Sequence, residues 1–244
     1  MHKIKKPEIV WEDDGLIAIN KPAGLLTIPD RFNAGEPSAL TLLQEEHPGI
    51  IPVHRLDRFT SGVVLFAKNA EQHKKMSALF ENREVEKYYI AIADGRVFPE
   101  TGEINAPLAE SMTTRGKMVI NKRGKESITR YEVLQQFNRY CLLSLQLMTG
   151  RMHQIRVHLL YIGHPLVVDP LYGNREALFL SEIKQKRFNL GKYEEEKPLL
   201  TRQPLHAHRL IFRHPDSGEL ITCEADLPKD MAAVIRQMEK WAKA

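Results

Sequence analysis

The sequence predicts an α+β fold built on a mixed, largely antiparallel sheet with flanking helices. Most apolar runs are separated by short turn signals, and strands do not alternate regularly with helices along the chain. The chain has 244 residues, of which 43% are hydrophobic and 27% charged, so it can bury a sizeable core and is not mainly disordered. We expect residues 1–244 to form a single domain.

The N-terminal half of the chain predicts a hairpin, two helices and two further strands. A turn at Asp13-Asp14-Gly15 joins the two apolar runs of the hairpin, and Ser38 is placed to cap the first helix. The predicted elements are a hairpin in EIVWEDDGLIAINKP (8–22), helices in SALTLLQEEH (38–47) and AEQHKKMSALFENRE (70–84), and strands in GVVLFAK (62–68) and KYYIAIADG (87–95).

The C-terminal half predicts further strands, two helices and one weakly patterned segment. The predicted elements are a long hairpin with a basic tip over 115–137, a buried strand in YCLLSLQLM (140–148), a helix within TGRMHQIRVHLLYIGHP (149–165), two strands joined by Asp-Ser-Gly within 205–228, and a final helix from near Pro228. Residues 174–203 follow no clear period. They are expected to form a surface insert in the domain.

Charge and cysteine usage narrow the class of protein. The net charge of +4 is compatible with a nucleic-acid partner, and RGKMVINKRGK (115–125) holds five basic residues and no acidic one. That stretch is either a phosphate-binding surface or a solvated loop. Cys141 and Cys223 stand alone, which fits a reducing compartment and predicts no zinc site. No signal peptide and no run of membrane-spanning length is found, so we expect a cytoplasmic protein.

Two charged segments are candidates for chemistry. In VHRLDRFTSG (53–62), Asp57 lies between Arg55 and Arg58 ahead of an apolar strand, so it either caps a turn or acts at the edge of the core. In TGRMHQIRVH (149–158), arginines enter a helix that at once becomes apolar. Such an arginine is either part of a basic surface or the buried partner of a distant carboxylate.

The sequence does not have the residue spacings that a metal site, a serine hydrolase or a glycosidase would require. His153 and His158 are five residues apart, whereas two imidazoles share a helix face at a spacing of four, so no metal site is predicted. No GxSxG motif indicates a serine hydrolase, and no second acid joins Asp57 in a glycosidase-like pair.

Five longer motifs occur in order along most of the chain. They are INKPAGLL (19–26), VHRLDRFTSGVVLFAK (53–68), EKYYIAIADG (86–95), TGRMHQIRVHLLYIGHPLVVDPLYG (149–173) and PLHAHRLIF (204–212). Together, over about residues 8–227, they closely resemble the RluA family of RNA pseudouridine synthases. The resemblance implies the pseudouridine synthase fold with a central catalytic cleft, in a short form without the N-terminal RNA-binding S4 domain. It also implies isomerisation of specific uridines in structured RNA, without cofactor, metal or obligate protein partner, by a monomer.

The resemblance assigns roles to individual residues. Asp57 matches the catalytic aspartate, and Arg156 matches the arginine expected to keep that carboxylate ionised where burial would favour its neutral form. Tyr89, in Lys87-Tyr88-Tyr89, matches the active-site tyrosine, with a one-residue slip to Tyr88 as the alternative. Ile155 and Leu205 match apolar positions beside the base, although core packing explains them equally well.

RNA contacts are expected from cations outside the catalytic set. Arg55 is expected to fill the space that an extruded uridine vacates and to pair with phosphate. Around the basic tip, Arg115, Lys122, Arg123 and Lys125 are expected to bind phosphates.

Alternatives remain open at this point. The RNA substrate is either ribosomal or transfer RNA. A non-catalytic RNA-binding or RNA-folding protein is the main alternative from another class, against which the intact set of Asp57, Tyr89 and Arg156 argues. A small-molecule nucleosidase lacks an obvious second acid and leaves the basic tip unexplained.

Overall fold

The structure is a computed structural model that describes residues 6–30, 33, 35–189 and 195–243. The chain divides into two compact units. The first comprises the described residues up to Tyr88 together with His206–Asp226, and the second comprises Tyr89–Leu205 and the described residues from Leu227 onwards.

The first unit is built on a twisted sheet whose strands run in the order β1-β2-β4-β11, with β3 paired to β4 and β12 paired to β11. The bounds are β1 (Glu8–Glu12), β2 (Leu16–Lys21), β3 (Ile51–Pro52), β4 (Ser61–Ala67), β11 (Leu205–Arg213) and β12 (Leu220–Glu224). The β1–β2 and β11–β12 hairpins are antiparallel, as expected, and β4 pairs with β11 in parallel. All residues of β4 are buried, and its backbone is paired with β2, β3 and β11.

Two helices complete the first unit. Helix α1 (Ala39–Gln44) begins where expected, with Ser38 as its N-cap and Thr41 closing a capping box. Helix α2 (Ala70–Glu81) is capped by the Asn69 side chain. Apolar side chains of β2, β4, β11, β12 and α2 form one core, which includes Leu16, Leu65, Met76, Phe212 and Cys223.

The second unit has a sheet in the order β5-β10-β9-β6 and a separate β7–β8 hairpin. The bounds are β5 (Glu86–Asp94), β6 (Thr101–Asn105), β7 (Leu108–Glu110), β8 (Met118–Ile120), β9 (Ile128–Gln136), β10 (Tyr140–Leu147), α3 (Gln154–Tyr161), α4 (Leu180–Lys184) and α5 (Lys229–Trp241). Helix α5 follows Pro228, as the sequence predicts, and buries Met231, Val234 and Met238 in the core of this unit.

The prediction of a long hairpin over residues 115–137 is wrong. Strand β8 pairs with the preceding β7, while β9 pairs with β10 and β6. The physical reason is the tight turn between β8 and β9: Leu108 and Lys125 exchange two backbone hydrogen bonds, at 2.7 and 2.9 Å, which turns the chain away from β8. Gly124 permits this turn, since a Cβ there would lie 2.4 Å from the Leu108 carbonyl oxygen.

The segment 174–203 contains α4 and a short 3₁₀ turn at Gln185–Arg187, and residues 190–194 lie outside the described residues. Leu178 and Leu200 pair through their backbones. Leu178, Ile183 and Leu200 are buried in the core of the second unit, alongside residues of α5. This segment therefore adds side chains to the core of the second unit as well as forming part of its surface.

None of the helices within the described ranges combines the length and the apolar character that crossing a membrane requires.

Candidate active site

The loop that presents Asp57 is held through its backbone. On one side of Asp57, the Thr27 hydroxyl donates to the Leu56 carbonyl oxygen at 3.0 Å and accepts from the Leu56 amide at 3.1 Å. On the other side, the Gly24 amide donates to the Arg58 carbonyl oxygen at 2.8 Å. Because both neighbours are fixed, the Cα–Cβ bond of Asp57 has a defined direction at the half-buried edge of the unit.

Lys21 at the end of β2 supports the same loop. Its side chain is fully buried, and Nζ donates to the carbonyl oxygens of Pro22, Leu25 and Arg58 at 3.1, 2.7 and 3.1 Å. An ammonium group at such a depth is costly unless its N–H groups are satisfied. Lys21 therefore ties the loop after β2 to the Asp57 loop with charge-assisted hydrogen bonds.

Arg55 and Arg58, the two arginines close to Asp57 in the sequence, differ in their ion pairing. Arg58 forms an ion pair with Glu36, with its Nη2 2.5 Å from Oε1. Arg55 is exposed and has no carboxylate within ion-pair distance among the described residues.

His54 anchors the start of the motif in the unit. Its Nε2 accepts from the Leu65 amide at 3.1 Å, and its ring stacks on Phe80 with centroids 5.0 Å apart. Burial, with a smaller contribution from Lys87, lowers the pKa of His54 from 6.5 to about 3. The neutral ring is required, because a protonated Nε2 could no longer accept the Leu65 amide.

In the second unit, Arg156 in helix α3 is buried, with 4% of its surface exposed. Its Nε and Nη2 donate to the two carboxylate oxygens of Asp169 at 2.7 and 2.8 Å. Asp169 also accepts from the amides of Leu171 and Tyr172 at 3.0 and 3.1 Å. This bidentate pair uses two of the five guanidinium N–H groups and fixes the plane of the guanidinium.

Tyr172 adds a second restraint on Arg156. The guanidinium carbon lies 4.8 Å from the centre of the Tyr172 ring, which is the geometry of a cation–π contact. The Tyr172 hydroxyl accepts from the Met118 amide at 2.7 Å and lies 2.8 Å from Nδ1 of His153. One side chain therefore connects β8, the residue that precedes α3, and Arg156.

The first turn of α3 is fixed by a buried amide network. Gln154 accepts from the Thr149 hydroxyl and the Arg151 amide at 2.8 and 3.0 Å, and it donates to Ile128 O and Thr129 Oγ1 at 3.0 Å each. All four hydrogen-bonding positions of its amide are satisfied. This network sets the helical phase that turns Arg156 towards Asp169.

The two neighbouring tyrosines of β5, Tyr88 and Tyr89, differ in exposure. Tyr88 is partly exposed and donates to Glu86 at 2.6 Å, a hydrogen bond that raises the pKa of Tyr88. Tyr89 is buried, with 8% exposure. The strand period thus turns Tyr89 inward and Tyr88 outward.

The other site residues expected from the sequence all lie in the second unit. Ile155 and Leu205 are each 4% exposed. Arg115 lies in the loop between β7 and β8, whereas the remaining cations occupy the turn after β8. Lys122, Arg123 and Lys125 are exposed, and none pairs with a carboxylate of the described residues.

Sequence reasoning missed Lys21, Thr27, Asp169 and Tyr172. Lys21 and Asp169 carried a signal, since each is a charged residue at the end of an apolar run, in LIAINK and LVVD. Thr27 and Tyr172 carried none. In the described part of the chain, no cluster of three or more His, Cys, Asp or Glu side chains is arranged to hold a metal ion.

Comparison with known proteins identifies the family. The family model described as "RNA pseudouridylate synthase" matches residues 15–161. Ribosomal large subunit pseudouridine synthase D of Haemophilus ducreyi is 38% identical over 239 residues, covering 95% of this chain and 70% of that protein. The protein of the same name from Nitrosomonas europaea is 38% identical over 236 residues, covering 94% and 64%.

Solved structures agree with this result. Human RNA pseudouridylate synthase domain containing 4 superposes with a TM-score of 0.72 at 26% identity, over 95% of this chain and 93% of that chain. Human RNA pseudouridylate synthase domain containing 1 shares the fold, with a TM-score of 0.69 at 23% identity. The resemblance to RluA-family enzymes and the α+β fold class are thereby confirmed. The chain belongs to the RNA pseudouridylate synthase family and is an enzyme that isomerises uridine in RNA to pseudouridine.

Proposed function

We propose that this enzyme modifies ribosomal RNA of the large subunit and that Asp57 is its catalytic carboxylate. The observation that supports Asp57 is the double restraint on its loop, in which Thr27 and Gly24 fix the residues on either side of it. A position that the fold restrains in this way suits a group that must meet a reacting atom within a few tenths of an ångström.

The reaction breaks the N1–C1′ bond, turns the uracil and forms a C5–C1′ bond. The proton at C5 is lost and N1 gains one, so the reaction is redox-neutral and consumes no co-substrate. A carboxylate suits this chemistry, because it stabilises or captures the cationic ribose carbon and also transfers a proton. A carboxylate that does this must be ionised, and a cation is needed to keep it so in a partly dry site.

Arg156 is the cation that we assign to this role. Its charge is buried and its orientation is fixed by Asp169 and Tyr172, so it is a preorganised donor rather than a flexible surface arginine. Tyr89 is assigned to the target base, on which an aromatic ring can stack. Both assignments rest on motif position and on the burial of these side chains.

The choice of RNA rests on the relatives. Those that are 38% identical are named as synthases of the large ribosomal subunit, and they align with nearly the whole chain. Exposed cations supply the means of holding a polyanion: Arg55 in the first unit, and Arg115, Lys122, Arg123 and Lys125 in the second.

Mapping pseudouridines in cells with and without this gene tests the proposal. We expect one or more sites in large-subunit RNA to be lost on deletion, to return with the wild-type gene, and to stay absent with Asp57→Asn. Sites lost only from transfer RNA would contradict the assigned substrate. Restoration by Asp57→Asn would contradict the assigned catalytic residue.

A further inference from the structure

We propose that a groove in the second unit binds one unpaired nucleotide of the substrate strand, separate from the uridine that is modified. This inference rests on the proposed function, because it takes RNA as the substrate. It adds a second binding site, formed between the β7–β8 hairpin and the segment that leads into α3.

The groove has a volume of about 580 Å³ and is lined only by residues of the second unit. This volume lies within the usual range for small-ligand sites. Its walls include Met118 from β8, Arg123 and Lys125 from the following turn, and Arg151 and Met152 ahead of α3.

Three cations and one carboxylate line the groove. Arg123, Lys125 and Arg151 have no carboxylate partner among the described residues, and Arg151 is steadied by donating its Nε to the Glu126 carbonyl oxygen at 3.1 Å. Glu110, the acidic residue of the lining, accepts from the Gly116 amide at 3.2 Å. The excess of positive charge makes the groove complementary to a phosphodiester.

Two methionines supply the apolar part of the lining. Met152 is 40% exposed, although it is a large apolar side chain, and Met118 is partly buried. Thioethers make favourable contacts with aromatic rings and adapt to their shape. Proteins bind unpaired nucleotides with cations for the phosphate and aromatic side chains for the base. In this groove the two methionines would take the place of the aromatic side chains. A base in a duplex is stacked on both faces and does not offer a ring face to such a surface.

The groove is held open by fixed contacts. The Tyr172 hydroxyl holds the Met118 amide, and the paired backbones of Leu108 and Lys125 hold the turn that carries Arg123. Binding therefore does not require the hairpin to become ordered first, which favours affinity for a small ligand.

Binding of two short oligomers tests the inference. The first is a fluorescein-labelled hexauridylate, and the second is an abasic ribose-phosphate oligomer of the same length and charge. We expect the enzyme to bind the hexauridylate about two- to twelvefold more tightly at low salt, since a contact between a thioether and a ring contributes about 0.3–1.5 kcal/mol. Equal affinity for the two oligomers would overturn the proposal.

Two pairs of matched variants locate the site. Met152→Asp introduces a negative charge into the groove, whereas Met112→Asp introduces it at a fully exposed methionine of the same hairpin, outside the lining. We expect the preference for the hexauridylate to be lost in Met152→Asp and kept in Met112→Asp. Equal effects of the two substitutions would show that no base is held at Met152 and would overturn the proposal.

Lys125→Ala and Lys122→Ala form the second pair, because Lys125 lines the groove and Lys122, three residues away, does not. For Lys125→Ala we expect the slope of log affinity against log salt to flatten by about 0.7, the value for one phosphate contact on a single strand, with a smaller change for Lys122→Ala. The reverse ranking would contradict the placement of the phosphate.

An oligoglutamate peptide distinguishes an RNA site from a general anionic surface. We expect it to displace the hexauridylate poorly, and displacement at equal charge concentration would overturn the assignment to RNA. All these readouts measure binding. If mapping fails to show any pseudouridine that depends on the gene while the oligomers behave as expected, the proposed function fails separately from the groove.

Discussion

The loop of Asp57 and the helix of Arg156 position their residues by different means. The Asp57 loop is fixed through main-chain atoms of Leu56 and Arg58, which Thr27, Gly24 and Lys21 contact. Arg156 is fixed through its own side chain, by Asp169 and Tyr172. Removal of the Asp57 carboxyl group should therefore leave its loop in place, whereas removal of the Arg156 guanidinium leaves a buried carboxylate without its cation.

Asp57→Asn gives the largest expected loss of activity. The amide keeps the size of the side chain but has no charge for the ribose carbon and no basic oxygen, so we expect the rate of C5 proton release to fall by about 10³-fold or more. The backbone contacts of the loop remain, and the free energy of unfolding should change by less than about 1 kcal/mol. A comparable rate in the purified variant would contradict the catalytic assignment.

Arg156→Leu should reduce both activity and stability. Asp169 would remain as a buried carboxylate with only the amides of Leu171 and Tyr172, and breaking a buried ion pair in this way costs about 3–5 kcal/mol. The measurements are proton release and urea unfolding. The control is the double variant Arg156→Leu/Asp169→Leu, which should recover part of the stability and none of the activity. Full activity in either variant would show that Arg156 is structural only.

The sequence predicted most of the elements because their signals are local. The β1–β2 hairpin, the Ser38 cap and α5 follow from turn residues, capping chemistry and periodicity. The pairing of β8 was missed, because β7 has only three residues and which strand β8 joins depends on tertiary contacts. Local patterns also leave open which carboxylate an arginine meets. Asp169 lies 13 residues from Arg156 and comes beside it only when the helix and the following segment pack.

Lys21→Met tests the main-chain restraint on Asp57. Three carbonyl oxygens would lose a charged donor inside the unit, and a hydrogen bond to a charged group contributes about 1.5–3 kcal/mol. We expect the free energy of unfolding and kcat both to fall, with little change in KM. Arg58→Ala is the control, because its carbonyl oxygen still accepts from Lys21 while the exposed ion pair with Glu36 and the contact with the Phe59 ring are lost. Equal losses of kcat in the two variants would show that the side chain of Arg58 matters as much as the backbone contact, and would contradict the role assigned to Lys21.

The response to acid should differ between the two units. His54 has a folded pKa of about 3, below its ordinary 6.5, so the unfolded chain binds the proton more readily and stability is lost as pH falls below 6.5. At pH 5 this loss is on the order of 2 kcal/mol. Asp94 in the second unit behaves in the opposite way. Burial raises its pKa to about 6 despite Arg175, so the folded chain gains stability as pH falls from 6 towards 3.8.

Hydrogen exchange at pH 7.5 and pH 5 distinguishes these responses. Because intrinsic amide exchange itself slows as pH falls, the quantity compared is the protection factor, which is the intrinsic rate at each pH divided by the observed rate. We expect lower protection factors at pH 5 in β4, which holds the Leu65 amide against His54, and no comparable change in β5 around Asp94. His54→Gln should remove most of the pH dependence in β4. A uniform fall in protection factors along the chain would show that neither group controls stability in this range.

Thr27→Val is the most selective test of the Asp57 loop, because it removes a single hydroxyl group. Valine matches threonine in shape but removes the hydroxyl, so the Leu56 amide and carbonyl groups would both lose their partner in a buried position. We expect a loss of stability of about 1–3 kcal/mol and a fall in kcat of about tenfold, since Asp57 would be less well placed. Thr27→Ser keeps the hydroxyl and should retain kcat while losing only a methyl contact. If Thr27→Val is destabilised but has the kcat of the wild type, the hydrogen bonds between Thr27 and Leu56 serve stability alone. The direction of the Asp57 side chain would then be set by other contacts.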